Sequence, residues 1–310
     1  MEGMRRPGPL PSVLHGTEFT RAQALEAGIT AQRLRARDIE RVARNVYRMT
    51  GCAEGLEIRA RALSSANPEA WVSHQSAAAL HGLWVPSSYN LAGSIHLSRS
   101  HRHPAVRQPG ITGHSMRARE GEVIRVSGIR VSSPARAWLD LARDLSVEDL
   151  IVIGDQLLRV PRVAFEGRAE PWATRGSMAA MLLLHPNFQG IVRARAALEL
   201  MRVGADSPPE TRLRLAMMHW GLPEPELQVR TDPDDPWSPP ADLGYRRWKI
   251  AIQYDGGVHL TVEQQSRDNL RDEVFNVAGW SYFKFNKQDL LNGFARASNK
   301  IHLAIARRVA

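Results

Sequence analysis

The residues with most chemistry in them lie in the stretch ADLGYRRWKIAIQYDGGVH, residues 241–259. Two short runs of strand character, 241–245 and 250–254, flank a basic, aromatic turn. Side chains alternate along a strand, so Ala251, Gln253 and Asp255 share one face and Ile250, Ile252 and Tyr254 the other. A hairpin closing symmetrically around Arg247 and Trp248 sets Asp242 opposite Gln253, with side chains roughly 5 Å apart. Arg-Trp is not a favoured two-residue turn, so the spacing predicts a longer loop that keeps this pairing. In that register Asp242, Gln253 and Asp255 gather at one strand end as three oxygen donors, a set suited to a hard divalent cation, Mg²⁺ or Mn²⁺. Carboxylates this close raise one another's proton affinity and repel unless a cation lies between them. The plainer alternatives are a solvated strand-end Asp242, a cross-strand hydrogen bond from Gln253 and an ordinary Asp-Gly-Gly turn at Asp255.

The elements that must hold this hairpin read from the flanking sequence. Pro209 pre-organises the start of a helix over 210–220, and Glu210 in its first turn suits the helix dipole. LQVRT follows as a first strand. The turn-rich TDPDDPWSPP after it carries Asp232, Asp234 and Asp235 but lacks the mid-loop Gly and terminal Glu of a calcium-binding EF-hand loop. Beyond His259 a helix runs over 262–278, with Arg267 and Arg271 one turn apart on one side. Gly279 closes it, a strand covers 280–285, and Asp289 lies near the start of a final helix ending at Arg308. The order α-β-β-β-α-β-α predicts a small mixed sheet flanked by helices.

Several short motifs occur here in one order: Ser207-Pro-Pro-Glu210 with Arg214, Ala241-Asp242-Leu243, Ile252-Gln253-Tyr254-Asp255-Gly256 with His259, Arg267-Asp268 with Arg271, and Gly279-Trp280. The set resembles the PD-(D/E)XK nuclease fold, most closely the domain of unknown function related to very-short-patch-repair mismatch endonucleases. The resemblance covers about the last hundred residues. It implies a restriction-endonuclease-like α/β domain that hydrolyses DNA phosphodiesters with Mg²⁺ or Mn²⁺. Carried over residue by residue, it makes Glu210, Asp242, Gln253, Asp255 and His259 catalytic, with Asp242, Gln253 and Asp255 on the metal. Gln253 stands where the family carries Glu; its carbonyl oxygen can still ligate, with one negative charge fewer. Asp255 stands where many such nucleases place a lysine. Arg267, Arg271, Lys284 and Lys287 become candidate phosphate contacts, against the default of solvated or salt-bridged surface charge.

The rest of the chain supplies the charge. Of the formal net charge of +9, residues 207–310 contribute little, with 14 Lys and Arg against 13 Asp and Glu. A basic remainder preceding a nearly neutral, carboxylate-bearing domain suits a polyanionic partner. One cysteine, Cys52, excludes a disulfide framework and any cysteine-based zinc cluster. No apolar run approaches a membrane span, so a cytoplasmic protein with no membrane partner is expected. At the N-terminus, Thr20 caps a helix over 21–27 ended by Gly28. Thr30 caps a second over 31–37 bearing Arg33, Arg35 and Arg37, and Ile39, Val42, Val46, Tyr47 and Met49 form a β wing. This outline resembles the winged helix-turn-helix head of AbiEi-type antitoxins and regulators, which makes those arginines DNA contacts.

Residues 56–90 read as helices, with His74 and His81 seven apart and not at metal-pair spacing. SIHLSRSHRHP, with His96, His101 and His103, reads as a phosphate-contacting or solvated loop. Strand-like alternation over 120–131 precedes an amphipathic helix with Pro134 near its start, and helical runs follow near 147–159, 178–184 and 193–201. This middle part also resembles AbiEi-like proteins. The sequence therefore predicts a multi-domain α+β chain: a head over 1–52, a mixed middle over 53–160, a helical linker over 161–206 and an α/β nuclease-like domain over 207–310. Its expected activity is metal-dependent DNA cleavage. The alternatives are a catalytically inactive DNA-binding transcriptional regulator or antitoxin-like protein with a degenerate nuclease fold and, less strongly, a protein-interaction module.

Overall fold

The computed structural model describes residues 8–52, 55–91, 93–235, 237–256 and 262–309, with backbone alone for 164, 165 and 262–269. Compactness divides the chain into two units, Met1–Asp144 and Leu145–Ala310. Both mix helices and strands, over three sheets in all among the described residues.

The first unit opens with β1 (Phe19–Thr20) and α1 (Arg21–Glu26). Thr20 and Gln23 form a reciprocal capping box: the Thr20 hydroxyl accepts from Gln23 N at 3.2 Å, and Gln23 Oε1 accepts from Thr20 N at 2.8 Å. The helix expected over 31–37 does not form; Arg33–Arg35 make a single 3-10 turn. Seven residues barely repay helix nucleation, and Arg33 is drawn away into a two-pronged bond to Asp38 at 2.7 and 2.6 Å. The wing is present as β2 (Ile39–Ala43) and β3 (Val46–Met49), which β1 joins in the order β1-β3-β2. Leu14, Phe19, Ala24, Leu34 and Ile39 close this small core.

The unit continues through α2 (Leu56–Ser65), β4 (Trp71–Val72), α3 (His74–Leu80), β5 (Ile95–Ser100), β6 (Ile111–Met116), β7 (Val123–Val126), β8 (Ile129–Ser132) and α4 (Pro134–Leu141). The five strands lie in the order β6-β5-β4-β8-β7, with β5/β6 and β4/β8 parallel. Two expectations are corrected here. Trp71–Val72 is a strand, not the start of a helix, and the histidine-rich loop is in large part β5. Within IHLSRS the alternation is real, since Ile95 and Leu97 are fully buried, but the intervening His and Arg disguise it as a basic loop. Beneath the sheet Arg136, fully buried, donates through Nε to Asp140 Oδ1 at 2.7 Å and pairs with Glu122.

The second unit begins with α5 (Val147–Leu158), α6 (Val163–Glu166), α7 (Arg175–Leu184) and α8 (Ile191–Leu200). Then come α9 (Pro208–His219), β9 (Glu226–Val229), β10 (Ala241–Tyr245), β11 (Ile250–Asp255), α10 (Val262–Val277), β12 (Ser281–Asn286), α11 (Lys287–Leu291) and α12 (Ala295–Val309). By compactness the chain divides after Asp144, and residues 145–310 form one unit. One physical reason is a buried ion pair between α5 and α9, in which Arg214 Nη2 donates to Asp155 Oδ2 at 2.9 Å. The sheet order is β12-β11-β10-β9, parallel only between β11 and β12. One face, with Leu243, Tyr245, Ile250, Ile252 and Phe285, packs on Leu213 and Met217 of α9 and Ile301 of α12. On the other, Ala251 meets Phe275 of α10 and Trp280.

The central hairpin has the register expected from its sequence: Leu243 pairs with Ile252, Gly244 with Ala251 and Tyr245 with Ile250. The loop is a 3-10 turn, Arg246–Trp248, closed by Lys249 at φ +48°. At Gly244 the flanking strands β9 and β11 leave no room for a side chain. A Cβ there would lie 2.5 Å from Val229 Cγ1 and 2.6 Å from the Ile250 carbonyl oxygen. Gly244→Ala is therefore expected to destabilise the protein by about 1–3 kcal/mol, the usual cost of overpacking. Urea unfolding checks this, and an unchanged midpoint would show that the strands yield.

Candidate functional site

Asp242, second residue of β10, is nearly buried at 9% exposure. Its Oδ1 accepts from Gln253 Nε2 at 2.7 Å and its Oδ2 from the Tyr254 backbone N–H at 2.8 Å. The cross-strand pair is thus in contact. The other amide atom, Gln253 Oε1, is buried and has no hydrogen-bond partner among the described residues. A buried carbonyl oxygen left bare costs on the order of 1–3 kcal/mol, so it is a position at which a ligand or ion would be stabilising.

Glu210 reaches the same electrostatic neighbourhood from the first turn of α9. It is 6% exposed. Its Oε1 accepts from Ser207 Oγ at 2.7 Å and its Oε2 from Asp206 N at 2.8 Å, which ties the segment before the helix to its first turn. Burial pushes the Glu210 carboxyl well above the usual carboxylate range, and the charge of Asp242 pushes it further; the Asp206 N–H and Ser207 hydroxyl oppose this. Asp242 is also raised by burial, against the Tyr254 N–H, the positive charge of Arg271 and the Gln253 amide. Two buried acids that resist ionising beside a bare carbonyl oxygen form a donor set in need of positive charge.

A pH dependence follows. Both carboxyls hold their protons more tightly in the folded than in the unfolded chain. Between the ordinary carboxylate range and their raised values the folded state therefore binds more protons, and the site's contribution to stability falls as pH rises. In EDTA, Asp242→Asn is expected to raise the melting temperature relative to wild type near neutral pH, and the advantage should vanish in acid. Mg²⁺ should raise the wild-type melting temperature and leave the variant unmoved. Parallel pH profiles for the two proteins would mean that Asp242 carries no unfavourable charge.

Asp255 ends β11 on the Gln253 face and is exposed. His259 lies outside the described residues, and of Arg267 the backbone alone is described, within α10. Arg271, also on α10, bears electrostatically on both Asp242 and Tyr282. Lys284 is the parallel-strand partner of Gln253, so Asp242, Gln253 and Lys284 form a row across three strands. Its ammonium contacts Asp272 at 2.6 Å and lies 5.7 Å from the Tyr282 ring centre. Lys287 is exposed at the start of α11. In the head, Arg35 and Arg37 are exposed, whereas Arg33 holds Asp38 and donates through Nε to the Gly8 carbonyl at 2.9 Å. Arg33 is thus committed to the fold of the head.

Sequence reasoning missed one constellation. His74, His96 and His114 come together in the first unit from α3, β5 and β6. No local spacing announces it, because each histidine sits on a different element.

No protein-family model matches the chain, and no solved structure matches it. Among curated proteins it is similar to uncharacterized proteins of two Mycobacterium tuberculosis strains, CDC 1551 / Oshkosh and ATCC 25618 / H37Rv. Each is 27% identical over 210 residues, covering 66% of this chain and 73% of the relative.

Proposed function

We propose that the chain is a DNA-binding protein whose second unit is a metal-dependent phosphodiester hydrolase, an endonuclease resembling the very-short-patch-repair-related PD-(D/E)XK group. The observation that carries this reading is the unpartnered, buried Gln253 Oε1 beside the Asp242 carboxylate, with Glu210 bearing on the same charge. These oxygens, with Asp255, suit Mg²⁺ or Mn²⁺ by donor type. When bound, such an ion polarises the phosphodiester and acidifies the attacking water.

The chain's own groups do the rest. The Tyr254 N–H fixes one oxygen of Asp242. Ser207 and the Asp206 N–H hold Glu210 against the helix start. Asp255, exposed at the strand end, is the base that this reading assigns to the attacking water. In this reading the phosphate is met by Arg271 and by Lys284, the neighbour of Gln253 in the sheet, which would exchange Asp272 for it. In the head, exposed Arg35 and Arg37 are the groups left to contact DNA. The single cysteine fits a cytoplasmic setting.

A second reading, a DNA-binding regulator with an inactive nuclease fold, draws on Gln253 in place of Glu and on the pairing of Lys284 with Asp272. Measuring binding and cutting on the same supercoiled, linear and mismatched duplexes separates the two. Binding with cleavage in Mg²⁺ or Mn²⁺ is expected. Binding without cleavage in either metal would favour the regulator, and neither activity would sink both.

A further inference from the structure

His74, His96 and His114 each offer a ring nitrogen within 4.8 Å of the other two. We propose that these three histidines form a mononuclear zinc site, with three imidazole ligands and a fourth position for water or a small anion. The donor set contains no carboxylate and no thiolate, which distinguishes it from the oxygen site of the second unit and suits a borderline cation over Mg²⁺.

Three features of the fold build it. Parallel strands β5 and β6 set His114 opposite Ser98 and His96 opposite Thr112, so both rings project from the same face. His96 Nδ1 lies 2.9 Å from His114 Nε2, and the His74 ring lies over His114 with centres 3.7 Å apart. His74 itself is held in an unusual conformation, at φ +52° in the first position of α3. A left-handed backbone at a non-glycine residue persists only where its surroundings over-determine it. Here the His74 N–H donates to Asp140, a fully buried carboxylate also bound by Arg136 Nε at 2.7 Å and Ser132 Oγ at 2.9 Å.

Behind the ring, Ser98 Oγ donates to Ser73 Oγ at 2.7 Å, and Ser73 Oγ lies 3.0 Å from His74 Nδ1; both serines are fully buried. Ser73 Oγ is the outer partner of His74 Nδ1, which leaves Nε2 to serve as the ligand atom, as outer partners do at zinc sites. Bonds of about 2.0–2.1 Å in a tetrahedron set ligand nitrogens ~3.3 Å apart, so on binding the His96–His114 pair at 2.9 Å opens slightly and wider pairs, within 4.8 Å, close.

The test uses the full chain stripped of metal and titrated with Co²⁺, a spectroscopic stand-in for Zn²⁺. One equivalent is expected to give the intense visible band of four-coordinate cobalt with nitrogen ligands, and Zn²⁺ is expected to abolish it by displacement. His96→Ala and His114→Ala should each lose the band and weaken Zn²⁺ binding at least about 100-fold. Asp242→Asn, or excess Mg²⁺, should leave it intact, which separates this site from the carboxylates. No intense band in the wild-type protein would overturn the proposal, whatever the folding of the variants. So would a band that survives in both folded histidine variants.

Discussion

Replacing Asp242 with Asn is expected to lower the single-turnover rate of metal-dependent DNA cleavage at least about a thousandfold, or about 4 kcal/mol of barrier. Asp242 is the nearly buried carboxylate to which Gln253 and Tyr254 are both bound, so no neighbouring oxygen can replace it. Asn keeps one acceptor oxygen and the size of the side chain, and it removes the charge that burial penalises. The variant should therefore be folded and at least as stable as wild type near neutral pH in EDTA. Loss of cutting with a gain of stability in one substitution is the signature of a residue that serves a ligand over the fold. A variant that cuts at the wild-type rate would remove Asp242 from the chemistry.

The largest effect on stability is expected at Arg214. Its side chain is fully buried, bonded to Asp155 at 2.9 Å, to Glu224 at 2.9 Å and to the Leu200 carbonyl at 2.9 Å. Asp155 is almost as buried and also accepts from Thr211 Oγ1 at 3.0 Å and Arg202 N at 2.7 Å. Arg214→Met would leave the Asp155 carboxylate inside without its counter-charge, a loss of about 3–5 kcal/mol. Part of this should return in Arg214→Met/Asp155→Asn, because the uncompensated charge is then gone while the amide can still meet Thr211 and Arg202. Chemical unfolding of the three proteins measures it. A change below about 1 kcal/mol for the single variant would mean that water reaches the carboxylate.

Arg214 also marks how far the sequence could be read. Its place four residues after Glu210 identified it as part of a motif, but its partner Asp155, 59 residues earlier, carries no local sign. That distant pair joins α5 and α9 within one compact unit, a link that composition alone does not announce. The central hairpin was legible for the opposite reason. Strict alternation over two short runs and a compact turn leave one register that buries Leu243, Ile250 and Ile252 together. Asp242 beside Gln253 followed directly from it. The bare Gln253 Oε1 and the raised proton affinity of Glu210 did not, since both depend on burial contributed by other segments.

In the first unit the N-cap at Thr20 was legible because a capping threonine bonds within its own first turn, whereas the reciprocal bond from Gln23 was not read. The basic helix over 31–37 was misread because the charge pattern resembles a recognition helix while Asp38, just beyond it, claims Arg33. The three-histidine cluster was hidden by topology: a parallel strand pair and a helix start bring together residues that no motif spacing links.

The most direct test of the central claim is a time course of supercoiled plasmid with the full chain in Mg²⁺, in Mn²⁺ and in EDTA. Nicked or linear product that accumulates with metal, stops in EDTA and is missing with Asp242→Asn is the predicted result. Plasmid that is bound yet stays supercoiled in both metals would contradict it.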